Sequence, residues 1–74
     1  MNRYQFTALL IREEPYYVAR CVELGVVSQG ETVESALANL REAVELYTED
    51  MPRDELAQYS HRKSLIAPLE LEYA

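Results

Sequence analysis

The 74-residue chain carries 13 acidic against 7 basic residues, a net charge of −6, and is 49% apolar. That length holds a single domain, residues 1–74, which buries only about 60% of the surface its unfolded chain exposes. One cysteine excludes an internal disulfide and there is no Cys/His cluster for a structural zinc, so association of copies is the remaining route to stability and a homo-oligomer is expected. The acidic balance argues against direct nucleic-acid binding, which draws on a basic patch, and fits a basic protein partner or simply a solubilising surface. Met1–Phe6 lacks a signal-type apolar run, and no segment approaches the roughly 20 apolar residues of a spanning helix. With its lone Cys21, the chain is expected in a reducing cytoplasm, away from membranes.

Residues 3–12 alternate, with Tyr4, Phe6, Ala8 and Leu10 on one face and Arg3, Gln5 and Thr7 on the other, the period of a half-buried strand. Leu9 and Ile11 then fall on the nominally polar face, which suggests a surface covered by a subunit contact, or by a loop or the terminus. Glu13-Glu14-Pro15 is a turn, because proline lacks a donor and turns its predecessor away from helix. Tyr16–Val22, aromatic and β-branched, reads as a second strand hairpinned to the first. Glu23-Leu24-Gly25 breaks it, and Val26–Gln29 is a short third strand closed by Gly30.

A helix follows. Thr32 is a suitable N-cap and Glu34 complements the helix dipole. Val33, Leu37, Leu40, Val44 and Tyr47 form one apolar stripe, widened by Ala36 and Ala43, and Glu34, Ser35, Asn39, Arg41, Glu42, Glu45 and Glu49 lie opposite. The stripe is expected to pack on the sheet face that carries Phe6, and Pro52 to end the helix. Arg53–Ala57 could add one or two helical turns, and His61-Arg62-Lys63 reads as a solvated turn. Leu65, Ala67, Leu69, Leu71 and Tyr73 alternate with Ser64, Ile66, Pro68, Glu70 and Glu72, predicting a final strand that Pro68 confines to an edge or a bulge. The fold class is therefore α+β in the order β-β-β-α-β, a small antiparallel sheet with one long helix on one face.

Three segments together, Tyr17–Leu24, Val27–Thr32 and Ala36–Ala43, resemble the HicB-like antitoxin family. The pattern is an aromatic strand, an acidic-Leu turn, a Ser-Gln-Gly-acidic-Thr cap and an Ala-Leu-rich helix, over about residues 4–49 and most specific from Ser28 to Ala43. The resemblance implies a degraded RNase H-like fold that blocks a small basic, mRNA-cleaving HicA-like toxin. Many members also carry a C-terminal DNA-binding domain. Here only Met51–Ala74 follow the helix, so a short stand-alone member without a DNA-binding domain is expected. Val22 also stands where the family often has proline.

The residues offer little chemistry. An RNase H-type nuclease needs carboxylates converging on divalent metals. The only aspartates, Asp50 and Asp54, follow the long helix, and Phe6, Ala8, Val18 and Cys21 occupy the strand positions that would face such a site. Cys21, inside an apolar strand with no histidine near it in sequence, reads as a buried structural thiol, and His61 as exposed. Tyr16 and Tyr17 point to opposite faces and suit core or subunit contacts better than base stacking. Gly25 and Gly30 are turn glycines, not a phosphate loop.

No catalytic, cofactor-binding or metal-ligating residue is assigned. Glu34, Glu42, Glu45 and Glu49 are the candidate partner surface, either imitating a phosphate backbone to a basic toxin or forming an ordinary solvated face. Leu9, Ile11 and Tyr16 are the candidate oligomer contact. The expected function is a non-enzymatic protein-binding module of antitoxin type. The alternative is an orphan homo-oligomeric scaffold or small-ligand sensor with no toxin partner.

Overall fold

In the computed structural model, residues 3–74 are described; Met1 and Asn2, part of the stretch read for a signal segment, lie outside them. The N-terminal alternation forms a ladder only from Ala8. Strand β1 (Ala8–Glu13) pairs antiparallel with β2 (Tyr16–Cys21), and β2 pairs antiparallel with β3 (Val27–Gly30), giving a three-stranded sheet in the order β1-β2-β3. A cis Glu14–Pro15 bond lies in the first turn. In the second, Gly25 takes φ 75°, the left-handed region that glycine enters without a Cβ penalty, and its N–H donates to the Cys21 carbonyl at 2.8 Å.

Helix α1 (Val33–Tyr47) begins at Thr32, whose hydroxyl accepts from the Ser35 N–H at 3.0 Å while the Ser35 hydroxyl accepts from the Thr32 N–H at 3.0 Å. This reciprocal box uses a serine where glutamate is usual. Ala36 and Leu40 are buried against Ala19 and Cys21 of β2, with Phe6, Ala8, Leu10, Tyr17, Leu24, Val26 and Val44 packed around them. The helix therefore packs on the sheet face that carries Phe6, over β2 and β3, and the architecture is α+β in two layers.

Four expectations need correction. Three stripe residues do not join the core: Val33 and Leu37 are exposed because the buried line runs through Ala36 and Leu40, and at the last turn Tyr47, past the sheet, is 58% exposed. Pro52 does not end α1, which stops at Tyr47 with Thr48 as C-cap, the Thr48 hydroxyl donating to the Val44 carbonyl at 2.8 Å. Pro52 instead opens a second helix, α2 (Arg53–Ser60), longer than the Arg53–Ala57 turns anticipated, because a proline at a helix start forfeits no helical bond. α2 buries Leu56. The strand expected over Leu65–Tyr73 does not form within the chain. Its residues take no regular secondary structure and join no ladder, and a strand without a ladder partner has nowhere to bond its backbone.

Candidate protein-interaction surfaces

The ladder register sorts the strand side chains. Ala8, Leu10, Tyr17, Ala19 and Cys21 face α1, while Leu9 opposite Arg20, Ile11 opposite Val18, and Glu13 opposite Tyr16 occupy the other face. The structure thus brings the three candidate contact residues, Leu9, Ile11 and Tyr16, onto one surface, joined by Val18 and by Val27, which pairs with Arg20. Among the described residues this face stands open: Ile11, Tyr16 and Val27 are exposed and Leu9 and Val18 half-buried. Val18 belongs to this open face and not with Phe6, Ala8 and Cys21 on the helix side, because residues two apart along β2 share a face and Cys21 is three away.

The acidic candidates lie on the opposite side of the molecule. Glu34, Glu42 and Glu45 are all exposed on α1, within about a quarter-turn of one another on its outer side at 100° per residue. Glu49 is exposed but follows the C-cap, so it sits in the turn after the helix and not on it. Two residues placed on the solvated side have structural work instead. Ser35 completes the cap, and the Asn39 amide donates to the Gln29 carbonyl at 2.8 Å, tying α1 to β3.

Burial pushes the Cys21 thiol above its ordinary value, and the sulfur has the Glu23 carboxylate 3.9 Å away. Partial burial opposes ionisation of Glu23, yet the bonds it accepts from Thr7 and the Ser64 hydroxyl outweigh that and hold its carboxyl below the usual range; the Thr7 N–H donates at 2.7 Å. Its spacing in sequence gave no sign of this clasp, since Thr7 is 16 residues away. His61 is exposed at the C-cap of α2. Arg12 donates to the Tyr17 hydroxyl at 2.7 Å and lies over its ring, so this tyrosine is committed within the chain. Among the described residues, no group of three or more His, Cys, Asp and Glu side chains could hold a metal ion, and no helix is long and apolar enough to cross a membrane.

A second uncovered region lies on the helix side of the sheet. Phe6 and Ala8 form one wall of an open groove of about 360 Å³, with Leu37, Leu40 and Val44 of α1 opposite and Leu56 of α2 beside them. α1 sits over β2 and β3 and leaves the β1 margin bare.

Comparison with known proteins gives a family without an activity. Residues 4–61 match the model of a family of unknown function (DUF7387), and the chain belongs to that family. It is 46% identical over 68 residues to a UPF0150 protein of Helicobacter pylori (strain J99 / ATCC 700824), spanning 90% of this chain and 94% of that protein. No solved structure matches the chain.

Proposed function

We propose that this member of the DUF7387 family is a non-enzymatic protein-binding module that acts as an antitoxin, capping a small basic ribonuclease in the manner its HicB-like segments imply. The observation that carries the reading is the outer side of α1, where Glu34, Glu42 and Glu45 stand exposed with Glu49 just beyond. A chain of net charge −6 with such a face attracts a basic partner, steers its approach and competes with the phosphates that partner would otherwise grip. Inhibition is then steric and electrostatic, the carboxylates standing over the RNA-binding surface, and the protein works in the cytoplasm where mRNA is the target.

The test is a charge reversal. The Glu42→Lys/Glu45→Lys protein is expected to melt as the wild type does, since both side chains are solvated, and to bind a basic toxin encoded beside it at least tenfold more weakly. Isothermal titration at two salt concentrations reads both the affinity and its screening. Equal affinity for both proteins would remove the phosphate-mimic mechanism.

A second reading, an orphan homo-oligomeric scaffold, is favoured by a different observation: the uncovered apolar face of Leu9, Ile11, Tyr16, Val18 and Val27. Isolated exposed apolar residues are ordinary, but a contiguous face of them on a sheet is a contact surface. The two readings divide on whether a stoichiometric basic partner accompanies the chain.

A further inference from the structure

We infer that residues 65–73 form an exchanged strand, the C-terminal arm of one copy adding to the β1 edge of a second copy and filling the groove beneath its helix. This goes beyond the antitoxin reading and does not depend on it. The arm is the most exposed apolar segment of the molecule: Leu65 is 93% exposed, and Leu69 and Tyr73 are each 88% exposed. It reaches away from the body, giving a radius of gyration of 14.4 Å where a chain of this length packed on itself would have about 11 Å.

The receiving edge is equally unpartnered. The Cys21 N–H donates to Val26 and its carbonyl accepts from Gly25, so both turn away from β1, and Ala8 opposite is a non-hydrogen-bonded position of the ladder. The backbone groups of Ala8, and by alternation those of Leu10 and Arg12, therefore point outward from the sheet, where no strand lies. Their side chains face the helix layer, beside the groove of Phe6, Ala8, Leu37, Leu40, Val44 and Leu56. A strand added here bonds this edge and drops alternate side chains into that groove. The arm's pattern fits: Leu65, Ala67, Leu69 and Leu71 share one face.

Pro68 decides which copy supplies the arm. In an antiparallel pair, residues that bond the neighbouring strand are those whose side chains share the face of its outward-turned residues; in a parallel pair they are the alternate ones. With Leu65, Ala67, Leu69 and Leu71 toward the helix, an antiparallel arm bonds through them and turns Pro68 outward, where its missing N–H costs nothing. A parallel arm would have to bond through Pro68. The chain's own arm starts beside the beginning of β1, since Ser60 exchanges hydrogen bonds with the Gln5 backbone at 2.8 and 3.2 Å, and Ser64 and Leu65 line one cavity with Thr7 and Glu23. Running on from there along its own β1 toward Glu13, it can only be parallel. A second copy offers the antiparallel edge, and two-fold exchange satisfies both edges and both arms at once.

The experiment uses the full chain. Light scattering is expected to give a two-copy mass, and Leu69→Asp/Leu71→Asp, which alters only exposed side chains, to release monomers that keep the wild-type circular dichroism. Because the open sheet face could also join copies, cross-linking identifies the contact. In a Cys21→Ala background, one chain carries Glu70→Cys on the arm and a differently tagged chain carries Glu13→Cys on the edge, both on the sheet face away from the helix. Treatment of the mixture with a short bis-maleimide is expected to yield mixed dimers, and Leu69→Asp/Leu71→Asp to abolish them. Absence of mixed dimers would overturn the exchange. So would a chain carrying both cysteines that cross-links only within itself, which would mean the arm folds back on its own β1.

Discussion

Gly30 shows how closely single residues set the geometry. It ends β3 opposite Tyr17, and a Cβ there would meet the Ser35 hydroxyl oxygen and approach the Ala36 backbone nitrogen to 2.5 Å. The glycine reads in sequence as a turn residue, whereas its role is to let the helix start close against the strand. Gly30→Ala is expected to cost about 1–3 kcal/mol, as overpacking does, read by urea denaturation. Cys21 and Glu23 make a second pair of residue-scale expectations. The buried thiol, its ionisation disfavoured by burial, should react with a disulfide reagent much more slowly in the native protein than in denaturant; equal rates would contradict its place in the core. Glu23, held below its ordinary value, contributes stability that is full above its unfolded pKa and is lost as pH falls through its lower folded pKa. Melting temperatures of Glu23→Gln and wild type should therefore differ at neutral pH and converge in acid.

Among the elements, α1 was the most legible, and for physical reasons. Its cap at Thr32 and the apolar stripe through Leu40 and Val44 are local signals, though the buried line runs through Ala36 and leaves Val33 and Leu37 exposed. Leu40→Ala is expected to cost about 2–5 kcal/mol, and Thr32→Ala about 0.5–2 kcal/mol through loss of the cap, both measured by chemical denaturation. The hairpin and the split of Leu9 and Ile11 from Ala8 and Leu10 were legible from alternation alone. What escaped were features set by distant parts of the chain. Where α1 ends depends on how far the sheet extends beneath it, and Tyr47 lies beyond that reach. Asn39 and Ser35 look solvated on a helical wheel because the wheel does not show the β3 carbonyl or the cap. The residue 65–73 alternation reads as a strand but joins no ladder in the chain, because alternation alone does not supply the neighbouring edge a strand needs.

The whole molecule is a two-layer body with unlike outer surfaces: carboxylates on the helix side, an uncovered apolar sheet on the other, and an apolar arm leaving from near the start of β1. Its core is small, five buried apolar residues among those described, and the proposed strand exchange would enlarge it. Of the candidate site, the acidic residues on α1 and the grouping of Leu9, Ile11 and Tyr16 could be read ahead because periodicity fixes which residues share a face; the groove could not, because α1 and the β1 margin meet only in the fold. The most direct test of the antitoxin account is purification of the tagged full chain from its native host, with mass spectrometry and light scattering on the eluate. A small basic protein in fixed stoichiometry, whose ribonuclease activity returns when it is separated, is the expected result. A homo-oligomer alone, with the neighbouring genes expressed, would contradict it.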